Sequence, residues 1–568
     1  MLVFGSALAL IGTTLSCNKS GDTGDGSAAV VEWRPDVVCP GDAGCETNEG
    51  TLMAGAAAVA ITPTCFEAWE DLDGNGEYDK YNESYFDCGC DQLCEDDDGY
   101  PGADDGEGDG EFQAVWLAGF QNGRPANSVH DDMWARAVVM QSGDTTVALV
   151  VLDVVGWFYD EALRIREAVA ASGGDVDVVV VQSTHQHEGP DTLGQWGAAL
   201  GKRGVDDDYI DDVVANAAEA VVTAYNGMET ATLELSSIDT AAPFGAKGTR
   251  NLVRDSRDPK IIDEMLYTAQ FIGASGDTIA TLVNWGNHPE ALSDENTAIT
   301  SDYAHYLREG IEQGVFYDSY EVEGVGGVCL YVNAAVGGLM TPLGVTVTDG
   351  EGIDFDQSGF EKSEAIGKVL AELALEAMAD SVAAEDPTVS VRAATLYIPV
   401  QNTAFQAMFL MGVLERDLYN YDPDDLVDED NQPDLLTEID LIDVGPLQML
   451  TVPGELFPEL AIGGYDGTRL NTEESELIDE DNDNPPDLDQ APDGPYFKDL
   501  MGGDFNWIVG LGNDEIGYLV PSYDYKLDEG LPYINQADGD HYEETNSVGP
   551  QAVPLIQSMV NDIIDWTP

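Results

Sequence analysis

The chain has 568 residues, of which 43% are hydrophobic, and this is ample for a large core. Its 108 acidic residues against 22 Lys and Arg give a formal net charge of -86. So large an acidic excess argues against nucleic acid as a partner and against anionic lipid head groups, since both would be repelled. Acidic residues dominate nearly everywhere, which favours a protein of a saline medium with a few local calcium loops.

Residues 1–17 predict export. Their apolar run ends in small residues before Cys17, is too short to span a bilayer, and resembles the core of a signal peptide. The tripeptide Leu15-Ser16-Cys17 resembles a degraded bacterial lipobox, which predicts a lipid on Cys17 that anchors the protein to a membrane. A secreted protein without a lipid is the alternative. Residues 18–53 are then expected to be a flexible linker with one local disulfide.

Cysteine spacing in the first hundred residues predicts a disulfide framework. In an exported protein, six clustered cysteines suggest three disulfides, with Cys39–Cys45 as a local pair. A thiolate zinc site is the alternative, and the spacing fits it poorly. The six residues are Cys39, Cys45, Cys65, Cys88, Cys90 and Cys94.

An acidic, Cys-rich insert is predicted at residues 65–111. Within it, oxygen-bearing side chains alternate with glycines, and calcium prefers six to eight oxygen ligands held by a tightly turning backbone. The candidate calcium ligands are Asp71, Asp73, Asn75 and Asp79. A solvated loop stapled by disulfides is the alternative.

The remainder, residues 54–568, is predicted to be one α/β domain with a mixed sheet covered by helices. Buried strands are expected at 54–63, 145–158, 175–187, 230–238, 265–273, 278–290, 327–338, 446–456 and 505–514. Helices are expected at 160–172, 206–226 and 357–384. In such folds, ligand groups collect beyond the carboxyl ends of the strands.

Histidines follow two of these strands. His185 and His187 are two residues apart at a strand end, a spacing that lets both imidazoles face one site. One ring can bind a metal while the other accepts protons, although single strand-end histidines are more often structural. His288 ends another strand. Asp153, at the end of a third, is a candidate partner for a ligand histidine.

Six segments resemble, in the same order, motifs of the neutral/alkaline ceramidase family. The first is Ser183-Thr184-His185-Gln186-His187-Glu188-Gly189-Pro190, which is similar to the family's His-Thr-His-Ser-Gly-Pro motif. The others are Thr249-Arg250-Asn251, Asn284–Pro289 with Thr300–Tyr303, Val452–Phe457, Gly510–Asn513 with Gly517-Tyr518, and His541-Tyr542-Glu543 with Gly549-Pro550. The resemblance runs from about residue 54 to about residue 565.

The resemblance implies a zinc-dependent hydrolase that cleaves the N-acyl bond of a ceramide-like lipid with a zinc-activated water. The implied zinc ligands are His185, His288, Glu455 and Tyr518. His187 would act as general base and then as acid. Arg250 and Tyr542 would donate hydrogen bonds to the oxyanion.

The chain also departs from the family. Ala335 stands where family members carry a serine that has been proposed as a nucleophile, so a covalent serine mechanism is not expected. No C-terminal immunoglobulin-like domain is expected either. The same metal site could therefore act on another acyl amide or an ester. A non-catalytic surface protein stabilised by calcium is the third reading, and the oligomeric state is left open.

Overall fold

Two large β-sheets, five two-stranded sheets and the covering helices make up the described part of the unit Pro35–Pro568 of the computed structural model. The structure describes residues 33–241, 248–338, 340–428, 430–469, 476–539 and 541–567. The predicted signal peptide and lipobox lie outside these residues. Within them, no helix combines the length and apolar character needed to cross a membrane.

The strands and helices are numbered in chain order. The strands are β1 (Val37–Cys39), β2 (Met53–Ala60), β3 (Ser128–Val129), β4 (Trp134–Ser142), β5 (Thr145–Leu152), β6 (Val178–Ser183), β7 (Glu229–Asp239), β8 (Arg254–Asp255), β9 (Met265–Gly273), β10 (Thr278–Trp285), β11 (Ala298–Ile299), β12 (Gly314–Phe316), β13 (Glu321–Glu323), β14 (Val328–Asn333), β15 (Met340–Thr341), β16 (Val347–Thr348), β17 (Asp354–Phe355), β18 (Val382–Ala383), β19 (Val389–Pro399), β20 (Asp434–Val444), β21 (Leu447–Val452), β22 (Glu455–Leu456), β23 (Phe505–Gly510) and β24 (Tyr518–Leu519). The helices are α1 (Tyr159–Ala171), α2 (Asp207–Asn226), α3 (Tyr303–Glu312), α4 (Phe360–Met378), α5 (Thr403–Met411), α6 (Pro458–Ile462), α7 (Phe497–Leu500) and α8 (Ala552–Asp565).

The larger sheet has nine strands in the order β14-β10-β9-β7-β2-β4-β5-β6, with β18 paired to β7. The smaller has five, in the order β1-β19-β20-β21-β23. Both are mixed: the pairs β10–β14, β5–β6 and β21–β23 are parallel, and the other pairs are antiparallel. The predicted mixed α/β fold is confirmed.

Alternation along the strands shows how the layers stack. In β5, Val147 and Leu149 join a core that also holds Val391 and Trp507 of the smaller sheet. The intervening residues of β5, such as Val150, join a second core with α1 and α2. Strands buried on both faces read as continuous apolar runs, which is why the sequence revealed β5 and β6. Helices α3 and α4 cover the rest of the larger sheet, and α5, α6 and α8 cover the smaller one.

Several sequence-based boundaries need correction. The predicted flexible linker at 18–53 overlaps the fold, because β1 pairs with β19 of the smaller sheet. The helix predicted at 357–384 ends at Met378, and its last residues form β18 instead. Strands β19 and β20 were not predicted, although β20 lies in the middle of the smaller sheet.

The disulfide framework is confirmed. Cys39–Cys45 is the predicted local pair, and the insert is closed by Cys65–Cys90 and Cys88–Cys94. The insert is anchored from within by Trp69, which is buried and donates its indole N–H to the carbonyl of Pro125 at 3.1 Å.

Candidate metal centre

The candidate metal-binding side chains of the two large sheets lie together, beyond the ends of their strands. His185 and His187 follow the end of β6, and His288 follows the end of β10. Glu455 and Tyr518 lie opposite each other in the parallel pair β22–β24, directly beyond β21 and β23. A hydrogen bond links the two sheets here, because the N–H of Asn513 donates to the carbonyl of Val181 at 2.6 Å. Candidate residues that are far apart in the sequence therefore lie close together, as their positions after strand ends predicted.

Backbone carbonyls orient the two candidate ligand imidazoles. Nδ1 of His185 donates to the carbonyl of Val155 at 2.5 Å, and Nδ1 of His288 donates to the carbonyl of Met340 at 2.7 Å. A carbonyl can only accept, so each ring carries a proton on Nδ1, and Nε2 is the nitrogen that is left to face the site. Anchoring the far nitrogen in this way is characteristic of histidines that bind metals.

Both free nitrogens face the same carboxylate. Oε2 of Glu455 lies 3.1 Å from Nε2 of His288 and 3.5 Å from Nε2 of His185. All three side chains are buried. Two imidazole nitrogens and a carboxylate oxygen converging in a buried place form a donor set that suits Zn²⁺.

The electrostatics of this trio reflect mutual attraction. Burial would raise the pKa of Glu455, but His185 and His288 outweigh it and lower that pKa to about 2. Burial would likewise lower the pKa of His185, but Glu455 raises it to about 9. The carboxylate is therefore held in its charged form, which is the form that binds a cation.

His187 stands next to this trio in a different environment. Its ring is buried, Nδ1 lies 3.2 Å from Oε2 of Glu290, and Nε2 has no hydrogen-bond partner. Burial lowers the pKa of His187 to about 4 despite Glu290, so the ring is neutral and able to accept a proton. Gly119 makes room for it, because a Cβ there would lie 2.3 Å from Cγ of His187.

The three imidazoles form one cluster. Each of His185, His187 and His288 offers a nitrogen within 4.8 Å of those of the other two. This buried cluster can hold a metal ion. Its geometry fits two ligand sets, one in which all three histidines bind and one in which Glu455 replaces His187.

Tyr518 and Tyr542 stand on the other side of the site. Their rings lie 6.0 Å apart, and both line the cavity that contains His185 and Glu455. Burial, reinforced by Glu455, raises the pKa of both phenols above the ordinary value. Without a neighbouring cation both therefore keep their protons, and each can donate a hydrogen bond.

Two sequence-based expectations look different in the structure. Arg250 is paired with Glu264, with Nε 3.1 Å from Oε1, and it is absent from the described wall of the cavity. Its predicted role as oxyanion donor stays a prediction. Asp153 was wrongly expected to support a ligand histidine: its carboxylate accepts from Arg308, Ser301 and the N–H of Trp134.

An apolar cavity leads to the candidate metal centre. The space between its walls is about 670 Å³, part of which is open solvent. The polar part of its wall consists of His185, His187, Gln195, Arg416, Glu455, Glu515, Tyr518, Tyr542 and Asn546, and the remaining side chains of the wall are apolar. The apolar wall residues are Val155, Phe158, Leu193, Trp196, Phe405, Phe409, Leu414, Leu435, Ile516 and Val548. No described residue of the 65–111 insert belongs to this wall.

Sequence reasoning missed two acidic residues here. Glu290, two residues after His288, faces His187, and its position directly behind the His-Pro pair could have revealed it. Glu515 lines the cavity, with Oε1 accepting from the N–H of Gly517 at 2.7 Å and Oε2 buried without a partner. Burial raises its pKa well above the ordinary value, and Glu455 adds to this. Nothing in the sequence signalled its inward orientation.

Two of the four predicted calcium ligands, Asp71 and Asp73, lie close together in the structure. Oxygens of Asp71, Asp73 and Glu83 lie within 4.8 Å of one another, so Glu83 was missed. Asn75 and Asp79 instead accept backbone N–H groups of their own loop, from Glu77 and Tyr81. Calcium at this loop stays a prediction.

Comparisons with known proteins were made at the levels of sequence and structure. No family model and no curated protein matches the sequence. Solved structures that are similar in fold include two ceramidase structures. Neutral ceramidase from Pseudomonas aeruginosa aligns with a TM-score of 0.57 at 14% identity, covering 91% of this chain and 74% of that one. A ceramidase complexed with C2 aligns with a TM-score of 0.56 at 14% identity, covering 91% and 75%. This chain therefore has a divergent form of the neutral ceramidase fold.

Proposed function

We propose that this protein is a zinc-dependent hydrolase that cleaves an N-acyl bond, with a ceramide-like lipid as its substrate. The observation that carries the proposal is the convergence of His185, His288 and Glu455 beside a largely apolar cavity, whose wall includes His185 and Glu455. The ceramidase fold supports the same reaction class, and the apolar wall suits an acyl chain.

The residues that would hold the zinc are His185, His288, Glu455 and Tyr518. Zinc bound there would act as a Lewis acid and lower the pKa of a water to about 7. The buried carboxylate and the two anchored imidazoles satisfy the requirement for ligands whose orientation is set in advance. Tyr518 completes the set, because its position opposite Glu455 in β22–β24 directs both residues to one face.

His187 would carry the proton in this reaction. It is neutral, buried and next to the candidate ligands, and its partner Glu290 would stabilise the protonated ring. Tyr542 would donate a hydrogen bond to the oxygen of the scissile carbonyl as negative charge develops on it. Ala335 offers no hydroxyl nucleophile, in keeping with attack by water.

Export is part of the proposal, with a lipid anchor at Cys17 or a secreted form as the two versions. The three disulfides support it, since such bonds persist in oxidising compartments.

Metal analysis combined with turnover tests the proposal. Purified protein should contain one zinc per chain and hydrolyse N-acyl sphingosine, and His185→Ala should remove both. A matched control is His305→Ala, which changes a histidine of α3 outside the cavity wall and should keep both. Absence of zinc from active protein would contradict the proposal.

A panel of N-acyl amides and esters of differing chain length separates the alternatives. Preference for short, polar acyl groups would favour another acyl amide or an ester as substrate. Zinc binding without turnover of any panel member would favour the non-catalytic reading.

A further inference from the structure

An unusually apolar helix stands at the mouth of the cavity. Helix α5 has the sequence TAFQAMFLM and carries no charged residue. Its inner side chains Phe405 and Phe409 line the cavity, whereas Leu410 and Met411 at its end are 68% and 63% exposed. Gly412, at φ 67°, ends the helix there, so these two side chains project from its tip.

A loop forms a second apolar projection beside the first. Residues 194–203 contribute Gln195 and Trp196 to the cavity wall, and Leu200 near the tip is 89% exposed. The loop lies against the segment that follows α5, because a Cβ at Gly194 would lie 1.9 Å from the carbonyl oxygen of Val413. Leu200, Leu410 and Met411 are called the apolar rim below.

The two segments that carry the apolar rim differ in composition from the rest of the chain. No acidic residue occurs in 192–205 or in 402–414, although 108 of the 568 residues are acidic. The loop carries Lys202 and Arg203, of which Arg203 is paired with Asp207 and Glu415 just beyond the two segments. Exposed apolar side chains on segments without acidic residues of their own are typical of proteins that lie on a lipid surface.

We propose that the apolar rim docks on the surface of a neutral phospholipid layer and seats the cavity mouth against it. The wall of the cavity is continuous with the rim through α5, so an acyl chain could pass from lipid to cavity without crossing water. A protein partner fits less well, because three side chains are far from the ~800 Å² that a specific interface buries on each partner. The net charge of -86 favours a neutral surface over an anionic one.

Vesicle flotation tests the docking directly. The full chain with Cys17→Ser, which cannot be lipidated, is mixed with phosphatidylcholine vesicles, and the bound fraction is measured. The triple variant Leu200→Ser, Leu410→Ser and Met411→Ser should bind about 100-fold more weakly, because three apolar side chains no longer leave water. Its hydrolysis of a water-soluble short-chain N-acyl amide should stay within about twofold, since the rim lies outside the cavity wall.

A matched control changes three other exposed apolar residues elsewhere: Ile353→Ser, Val382→Ser and Leu426→Ser, at 52%, 62% and 78% exposure. This control should bind as the parent does. Failure of the parent to bind vesicles, or equal losses in both triple variants, would overturn the docking proposal. The docking proposal rests on the proposed function only in explaining why the protein would bind lipid. A protein that binds vesicles but hydrolyses no member of the substrate panel would support docking and contradict the proposed hydrolase activity.

Discussion

The two halves of the candidate metal centre are held in place by different physics. The half beyond the larger sheet is fixed by neutral groups, since backbone carbonyls hold His185 and His288. The half beyond the smaller sheet is backed by buried charge. Arg257 binds the carboxylates of Asp524, Glu543 and Glu544 directly beside Tyr542.

The two halves should therefore respond differently when a residue is substituted. Loss of a ring from the neutral half changes the chemistry but leaves few unsatisfied groups behind. Loss of the Arg257 charge from the other half would leave several buried carboxylates without a cation at once. Substitutions in the two halves should therefore separate activity from stability.

The largest effect is expected for His187→Ala in the neutral half. Loss of a general acid–base group should lower kcat for N-acyl sphingosine by about 100- to 10,000-fold. Zinc content should stay at the parent level, because His185, His288 and Glu455 still converge. Steady-state kinetics and metal analysis on the same preparation measure both.

The comparison needs a second variant because His187 also belongs to the three-histidine cluster. His288→Ala should lose zinc as well as turnover, whereas His187→Ala should lose turnover alone. Zinc loss from both variants would make His187 a ligand and would leave another group to move the proton.

Arg257→Met, in the charged half, is expected to lower the free energy of unfolding by about 3–5 kcal/mol, because it leaves buried carboxylates without their cation. Urea unfolding followed by circular dichroism measures the change. Arg164→Met is the matched control: this arginine is 42% exposed, and loss of its pairs with Glu161 and Asp211 should cost less than about 1 kcal/mol. Equal losses in the two variants would show that the buried cluster is not what stabilises this half.

The sequence predicted the neutral half better than the charged half. Continuous apolar runs predicted β5, β6 and β10, and the histidines directly follow β6 and β10, so the hydrophobic pattern and the position in the chain were enough. Strand β20 escaped because its first part follows an acidic, proline-bearing loop, and acidic residues such as Glu438 and Asp440 are buried within it. The burial of Glu438 is explained by Arg166 of α1, whose guanidinium lies 2.6 Å from the Glu438 carboxylate although the two residues are far apart in the sequence.

The cavity wall could not be predicted for a similar reason. Its apolar residues come from loops, from α5 and, for Leu435, from β20 of the smaller sheet, with no common spacing along the chain. Motif resemblance identified the candidate metal-centre residues, most of which lie just after the ends of strands. It gave no account of Glu515 or of helix α5, whose roles depend on which surface each one faces.

The smallest effect is expected where the wall meets the solvent. Phe409→Leu removes an aromatic ring from the cavity wall but keeps an apolar side chain, so the protein should fold and bind zinc as before. For long acyl chains that reach this residue, kcat/KM should fall by about tenfold, in the range that a hydrophobic pocket loses with one small apolar group. For acetyl amides, which end near the metal centre, kcat/KM should change by less than about twofold.

Phe316→Leu, at a phenylalanine that is 56% exposed and outside this wall, should leave both values unchanged. Equal losses for long and acetyl substrates in Phe409→Leu would mean that Phe409 supports the metal centre and does not contact the acyl chain. A loss confined to long chains would instead place the acyl group along α5, on the apolar side of the site that motif resemblance left undescribed.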